Sequence, residues 1–378
     1  MRGFPSMSMS FDNAPFSGSY RADEVQFLLK PIDIDPIDVT AKERLIQSGQ
    51  RHYSELLSRE SLPSVRYLSV FQQALHLGLQ PMARGVLDLA AIIAARRPAD
   101  ITLVSLMRAG TPVGVALRHV LREVFGRTVV HYSLSIIRDR GIDRTALRFI
   151  LDAAGQDPAG LVFVDGWTGK GVIAHELRNS LTAFERDQGI HLDPTLYTLT
   201  DLAGVGCAPT DDDYLIPSSI LNATVSGLVS RSILNEQIGR QDFHGCVNYQ
   251  SDPAFAAADC SVWFIDTVLA AVRAQLAAGY TPNAQPVDPT RARARSTALL
   301  AAIRARFGIH NAHFIKPGIG EATRVLLRRV PERVIIRDPA AAEVAHLLEL
   351  AHEKAVLCQV DPTAPYQAIS LIKGVLDA

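Results

Sequence analysis

One stretch of eleven residues, LVFVDGWTGKG at 161–171, constrains the fold of this chain more than any other. The apolar run from Leu161 to Val164 predicts a short buried strand, and the segment from Val172 to Leu181 predicts a helix. The turn between them holds three glycines. A strand, a glycine-rich turn and a helix in succession predict a parallel sheet, in which the turn N–H groups and the positive end of the helix can bind an anion.

The spacing of the glycines excludes a Walker A phosphate loop, which has four residues between its glycines and a Ser or Thr after its Lys. Here two residues separate Gly166 from Gly169, and Gly171 follows Lys170. An ordinary connection between strand and helix, without a ligand, remains the alternative.

A second strand–turn–helix unit lies upstream. Ile101 to Ser105 predicts a strand, and a helix is expected from near Pro112 to before Gly126. The turn between them carries Arg108, whose guanidinium is always charged and can bind two oxygens at once. We expect this turn to bind a pyrophosphate through Arg108, Ala109 and Gly110.

Further predictions concern the segments around these two units. Arg138 and Arg140 follow the strand predicted from Thr128 to Ile137, and a charged hairpin or surface loop is one interpretation of this segment. Asp201 follows the strand predicted over 195–200, where α/β sheets place functional groups. We also predict one helix over 40–58 (with His52 and Glu55 on one face), two amphipathic helices over 63–95, a solvated turn at 211–213 and a helix over 366–374.

Length and composition predict a two-part cytoplasmic protein. The 378 residues, 48% of them hydrophobic, are enough for two or three domains. Four cysteines without a CxxC pair and no signal peptide favour reduced thiols. No apolar run is expected to reach transmembrane length, so we predict no membrane partner. The segment 279–290 contains three prolines and no periodic apolar pattern, so it is the best candidate for a linker. The predicted parts are a flexible N-terminus (1–20), a large domain (21–278), the linker (279–290) and a small domain (291–378).

The small domain is basic. Eleven Lys or Arg and two acidic residues lie between Arg291 and Arg337, so this part is expected to have an anionic partner.

The thiols allow two weaker hypotheses. A cysteine protease needs a histidine that reaches its nucleophile, and Cys246 lies two residues from His244. A zinc site would use His244, Cys246 and Cys260, at irregular spacing.

The turn at 165–171 resembles the loop of type I phosphoribosyltransferases, which holds the 5-phosphate and ribose of phosphoribosyl pyrophosphate (PRPP). The run from Leu106 to Gly110 resembles the pyrophosphate loop of the same enzymes. The resemblance implies an α/β fold with a type I phosphoribosyltransferase-like parallel sheet, PRPP as co-substrate and Mg²⁺ as cofactor. It assigns catalysis to Arg108, Arg138, Arg140 and Asp165, with Arg138 and Arg140 on a mobile loop that closes over the site. It assigns substrate binding to Ala109, Gly110, Gly166, Thr168, Gly169, Lys170, Gly171 and Asp201. Where the family has a second acid, this chain has Gly166.

The segments HYSLSIIRDRGID, VFVDGWTGKG, IPSSILNATVSGLVSR and DFHGC resemble, in this order, phosphoribosyltransferase-like proteins of bacterial tellurite-resistance operons. That family is also labelled "cysteine protease StiP". The small α/β domain resembles Pelota-type RNA-binding domains, relatives of the kink-turn-binding ribosomal proteins. The resemblance implies RNA contacts by Lys316, Gly318, Gly320, Glu321 and Arg324, with Gly320 in place of the family's Asn.

Together these patterns predict PRPP-dependent phosphoribosyl transfer to an unknown base or small-molecule acceptor in a stress response, with RNA bound by the C-terminal domain. Two alternatives remain open at this point. One is a nucleotide or PRPP sensor that has no turnover and is coupled to RNA binding, and the other is a cysteine protease. Assembly into a homo-oligomer is possible under each hypothesis.

Overall fold

The computed structural model describes residues 14–374. Ten α-helices lie within this range: α1 (Val39–Gln47), α2 (Val65–Arg96), α3 (Gly110–Glu123), α4 (Arg144–Arg148), α5 (Val172–Gln188), α6 (Pro253–Ala257), α7 (Ser261–Ala277), α8 (Pro289–Phe307), α9 (Ile319–Arg328) and α10 (Ala345–Glu353).

The same range contains fifteen strands: β1 (Gln26–Leu28), β2 (Lys30–Pro31), β3 (Ile101–Leu106), β4 (Val129–Leu134), β5 (Ile136–Ile137), β6 (Gly141–Ile142), β7 (Leu161–Val164), β8 (Trp167–Thr168), β9 (Leu196–Tyr197), β10 (Thr200–Asp201), β11 (Gly245–Cys246), β12 (Ile315–Pro317), β13 (Pro331–Ile336), β14 (Leu357–Val360) and β15 (Ala368–Ile372).

The large domain is built on a five-stranded sheet with the order β1-β4-β3-β7-β9, in which every pairing is parallel. Its central strand β3 is buried at every residue, as expected when helices cover both faces of a parallel sheet. The predicted parallel α/β sheet is therefore confirmed. A type I phosphoribosyltransferase fold is not shown.

The C-terminal domain contains a four-stranded mixed sheet with the order β12-β15-β13-β14. Strand β15 lies in the middle, antiparallel to both neighbours, and all five of its residues are buried. The helix predicted over 366–374 was therefore wrong. The run AISLI lacks the 3.6-residue period of a half-buried helix and is instead typical of a strand covered on both faces.

The helix predicted over 40–58 is also shorter than expected. Asp38 caps α1, because its carboxylate accepts the backbone N–H groups of Thr40 (2.8 Å) and Ala41 (3.0 Å). The helix ends before Gly49, whose φ of +73° suits glycine. His52 and Glu55 consequently do not share an α-helical face, and only a 3₁₀ turn covers 53–55.

The two amphipathic helices predicted over 63–95 form one helix, α2, which continues through Pro81. Two segments, Val65–Arg96 and Pro253–Ala277, pass the length and composition test for a membrane-spanning helix, contrary to the expectation that no apolar run reaches that length. However, much of each segment is buried: 61% of the most apolar 18-residue stretch of the first segment, and 44% of that of the second. Because α2 packs against α3, α7 and α10, we interpret it as a core helix.

The two domains share one hydrophobic core. The largest cluster of buried apolar side chains extends from the parallel sheet through α2 to residues of the C-terminal domain such as Ile319 and Leu347. The segment predicted as a linker is hydrogen-bonded to the large domain: Tyr280 donates to Asp88 (2.8 Å), and the N–H of Val287 donates to the carbonyl of Ala208 (2.9 Å).

Of the N-terminus predicted to be flexible, residues 1–13 lie outside the described range. Residues that follow are packed: Tyr20 is buried, and its hydroxyl donates to the carbonyl of Val225 (2.9 Å).

Candidate functional site

A cavity of about 570 Å³ lies between the two domains. On the large-domain side it is bordered by the turn at 165–171, which follows β7. On the opposite side it is bordered by residues of β12 and α9. The turns after β3 and β7 lie where the strand order reverses, and in α/β sheets this is the usual place for a ligand.

The glycine-rich turn has the predicted position, at the carboxyl end of a buried strand. Asp165 is half-buried, and its partial removal from water raises the pKa of its carboxyl group to about 6. Its Oδ1 accepts the N–H of Gly166 (2.7 Å). Gly171, with φ of +81°, begins α5, and no side chain caps this helix end. Asp165, Thr168, Gly169, Lys170 and Gly171 all line the cavity.

Lys170 joins the turn to the C-terminal domain. Its Nζ donates to the carbonyl of Ile315 (2.8 Å) and to that of Ala312. Burial, reinforced by the charge of Lys316, lowers the pKa of Lys170 to about 7. The ammonium predicted to hold a phosphate is therefore already bound by backbone carbonyls.

The arginines of the predicted closing loop lie on the β5–β6 hairpin. Arg138 lines the cavity, with its guanidinium 5.0 Å from the ring centroid of Tyr53. Arg140 instead pairs with Glu55 (3.2 Å) and does not line the cavity. The hairpin is held to α5, because the N–H groups of Asp139 and Ile142 donate to side chains of that helix.

The predicted pyrophosphate turn is occupied by the protein itself. Arg108 is buried and donates to Glu60 (2.5 Å), to the carbonyl of Val229 (3.0 Å) and to Asn222 (3.1 Å). A Cβ at Gly110 would lie 2.4 Å from the carbonyl oxygen of Val164. Arg108, Ala109 and Gly110 do not line the large cavity.

Asp201, which was predicted to bind substrate, organises the loop that follows it. Its carboxylate accepts the N–H groups of Val205 (2.8 Å) and Gly206 (2.7 Å) and the hydroxyl of Thr168. It is buried and does not line the cavity.

The residues predicted to contact RNA face the large domain. Lys316, Glu321 and Arg324 line the cavity, whereas Gly320 packs so closely that a Cβ there would lie 2.5 Å from Trp167. A Cβ at Gly318 would likewise lie 2.5 Å from the side chain of Leu202. Burial opposes ionisation of Glu321, but the charges of Lys316 and Arg324 dominate and lower its pKa to about 2.

Neighbouring acids also join the domains. The segment 211–213 was predicted to be solvated. Asp213 accepts the N–H groups of Ile319 (2.9 Å) and Gln367 (2.8 Å), and Asp211 pairs with Arg295 (3.3 Å). The prediction was therefore wrong for Asp211 and Asp213, whose partners lie far away in sequence, whereas Asp212 is exposed.

Sequence reasoning missed several cavity residues, namely Lys42, Glu43, Tyr53, Arg231, His313, Arg328 and Arg329. They come from three separate regions of the chain, and no local motif connects them.

No metal centre is evident: within residues 14–374 no group of three His, Cys, Asp or Glu side chains could hold a metal ion. The zinc hypothesis therefore has no supporting cluster there. Magnesium as a cofactor remains a prediction.

The four thiols lie away from the cavity. Cys207 and Cys246 are buried, Cys260 is half-buried and Cys358 is exposed. Burial raises the pKa of Cys246 to about 12. In the described part of the chain no thiol is hydrogen-bonded to a histidine, and the neighbouring His244 accepts from or donates to Ser135 (2.7 Å).

Comparison with known proteins gives two family matches. Residues 18–269 match the family described as tellurite-like stress resistance cysteine protease StiP. Residues 294–374 match the PELOTA RNA binding domain. A curated relative from Acinetobacter baylyi, named "Cysteine protease StiP", is 40% identical over 370 residues, which cover 95% of this chain and 94% of that protein.

These matches correct the expected activity. Both the family description and the relative's name specify a cysteine protease, which is a hydrolase, so the expected PRPP-dependent phosphoribosyl transfer and its classification as a glycosyltransferase are wrong. The resemblance to the StiP family and to Pelota-type domains is confirmed, and the phosphoribosyltransferase-like assignment is not supported. The identity over nearly the whole length shows that this chain belongs to the StiP family of tellurite-like stress resistance proteins and ends in a PELOTA RNA binding domain.

Proposed function

We propose that this chain is a thiol peptidase and that Cys260 is its nucleophile. The proposal takes its reaction class from the names of the family and of the relative. The observation that selects Cys260 is its place at the N-terminus of the 17-residue helix α7. The dipoles and unpaired N–H groups of a helix N-terminus favour a thiolate, although burial and Asp259 outweigh this effect in the resting protein.

The other three thiols fit this role less well. Cys246 is fully buried in strand β11, and Cys207 is buried beside β9. Cys358 is exposed, but it lies on the edge strand β14 with no helix end at its sulfur. Cys260 alone among the thiols of residues 14–374 combines partial exposure with the start of a long helix.

The resting thiol of Cys260 is protonated. Its Sγ donates to the carbonyl of Thr224 (2.9 Å), and burial, with a further contribution from Asp259, raises its pKa to about 12. Reaction therefore begins with loss of the thiol proton to solvent hydroxide. The thiolate then adds to the peptide carbonyl, the amine leaves with a proton taken from water, and water hydrolyses the thioester to release the acid and the thiol.

A peptidase assay with cysteine variants tests this proposal. We expect full-length wild type to hydrolyse an internally quenched peptide library, and Cys260→Ser to lose at least 100-fold in rate. Cys358→Ser is the matched control, because it removes a more exposed thiol, and should keep the wild-type rate. Loss of activity in neither variant, or in Cys358→Ser alone, would contradict the assignment of Cys260.

RNA binding is the second candidate function, favoured by the match of residues 294–374. Lys316 and Arg324 are the assigned contacts, and both line the cavity between the domains. RNA that reaches them must enter this cavity. Single-stranded RNA fits such a site better than a duplex, since its unstacked bases can enter singly and stack on aromatic side chains.

Filter binding with single-stranded RNA tests this second proposal. Arg324→Gln should weaken binding about tenfold. Arg304→Gln removes an equal charge from an exposed position on α8 and serves as the control, with little expected change. Equal weakening in both variants would indicate general attraction to a basic surface and would reject the cavity contact.

A further inference from the structure

The cavity between the domains has a large excess of positive charge. Eight Lys or Arg residues line it, against three carboxyl groups. Two of the carboxylates are already paired: Glu43 with Arg329 (2.7 Å), and Glu321 with Lys316 and Arg324 (3.4 Å each). The third, Asp165, is a half-buried acid whose pKa is raised to about 6, so it carries little negative charge near that pH. The carboxyl groups present therefore leave most of the cationic charge uncompensated.

Four of the cavity's cations make no ion pair within residues 14–374, namely Lys42, Lys170, Arg231 and Arg328. Arg231 and Lys170 donate to backbone carbonyls, and Arg328 donates to the side-chain oxygen of Asn222 (2.8 Å). These neutral acceptors satisfy donors without cancelling charge.

Lys42 is the most informative of the four. It is only 6% exposed, it lines the cavity, and among the described residues no hydrogen bond or ion pair reaches its Nζ. Holding an ammonium group on a largely buried side chain without an anionic partner is costly, so a protein seldom keeps one without a use for it. Burial, together with the charge of Arg231, lowers the pKa of Lys42 to about 8.

The N-terminus of α5 adds further positive potential to the cavity. The helix has 17 residues, begins at the cavity wall and has no side-chain cap. Its first N–H groups and its dipole favour a phosphate group at this end.

From this placement we propose that the cavity binds a small molecule that carries two or more phosphate groups and bridges Lys42 of the large domain and Lys316 of the C-terminal domain. A volume of about 570 Å³ is in the range of small-molecule sites. The compact charge of a pyrophosphate group matches cations that converge from both domains. This inference rests on neither the peptidase nor the RNA-binding proposal, because it uses neither Cys260 nor a polynucleotide.

Calorimetry on the full-length protein, with inorganic pyrophosphate as the probe at constant ionic strength, tests the inference. We expect saturable binding to wild type and at least tenfold weaker binding to Lys42→Gln. Arg44→Gln is the matched control, because Arg44 is exposed on the same helix two residues away, and its affinity should stay within twofold of wild type. Equal losses in the two variants, or no binding to wild type, would overturn the inference.

Two further measurements separate the outcomes. Citrate supplies a similar charge on carboxylates, and we expect it to bind more weakly than pyrophosphate; tighter citrate binding would overturn the assignment to phosphate.

Thermal unfolding without ligand checks that the Lys42→Gln variant folds. Lys42→Gln should unfold at the wild-type temperature or above, since it removes a buried unpaired charge, and unfolding well below that temperature would contradict the picture of an unpaired ammonium.

Discussion

The guanidinium of Arg324 lies over the indole ring of Trp167, 4.3 Å from its centroid, and this contact joins the two domains of the chain. Trp167 belongs to the glycine-rich turn of the large domain, whereas Arg324 belongs to helix α9 of the C-terminal domain. A cation over an aromatic face contributes most when both groups are removed from water. Trp167 is buried, so the contact has the desolvated setting in which it stabilises the interface.

Close packing of Gly320 against Trp167 at this interface predicts the effect of one methyl group. In Gly320→Ala the new Cβ would lie 2.5 Å from Trp167, so we expect a loss of about 1–3 kcal/mol in the free energy of unfolding, measured in urea. Gly320→Ala should cost less free energy of unfolding when it is introduced into the Trp167→Leu variant than when it is introduced into wild type, because the smaller side chain removes the clash. Additive losses would indicate that the two residues do not meet.

Asp213 predicts a second contribution to the joining of the domains. Asp213→Ala leaves two backbone N–H groups of the C-terminal domain without acceptors and should cost about 2 kcal/mol. The adjacent Asp212 is exposed, and Asp212→Ala is the matched control with little expected change. If both variants unfold at the same denaturant concentration, Asp213 does not hold the C-terminal domain.

The lowered pKa of Lys170 predicts a rise in stability with pH. Its folded value is about 7, and its ordinary value is 10.5. Between these values the unfolded chain binds more protons than the folded chain, so protonation favours unfolding, and stability increases as pH rises from about 7 toward 10.5. Urea unfolding at pH 7.5 and 9 should show a smaller increase for Lys170→Met than for wild type. Lys373 is exposed, and Lys373→Met is the control, which should keep the wild-type increase in stability between pH 7.5 and 9. If Lys373→Met and Lys170→Met show the same increase, the explanation is refuted.

The thiols should differ in reactivity in a defined order. Only the thiolate reacts with iodoacetamide, and burial raises the pKa of Cys246 and Cys260 to about 12. In the native protein at pH 7.5 we expect Cys358 to be alkylated first, Cys260 slowly and Cys246 only after unfolding. Alkylation of Cys260 should accelerate as pH rises to 9.5. Peptide mass mapping after timed quenching gives the three rates, and rapid labelling of Cys246 in the folded chain would contradict its burial.

Local patterns predicted the central part of this fold well. The strands at 101–106 and 161–164 and the helices after them were recognisable, because each combines an apolar run with a turn of defined chemistry. Strand β15 was mistaken for a helix, since a short run that is buried on all sides has no distinguishing period.

The site was less predictable than the fold. The turn at 165–171 was recognisable, but its cavity is completed by Lys42 from α1 and Arg328 from α9, and no short-range pattern brings these residues together. Arg108 and Asp201 were assigned to ligands from their positions after strands. In the structure they bind Glu60 and the backbone of 205–206, which are partners that sequence alone does not reveal.

Covalent trapping tests the central claim, that Cys260 is a peptidase nucleophile, most directly. Full-length protein would be incubated at pH 9 with a peptidyl vinyl sulfone, which reacts with a nucleophilic thiol positioned to attack a bound peptide, and the modified residue would be identified by mass spectrometry. We predict one adduct per chain, on Cys260, with a parallel loss of peptide hydrolysis and no adduct in Cys260→Ser. Modification of Cys358 alone, or hydrolysis that survives full modification of Cys260, would contradict the account.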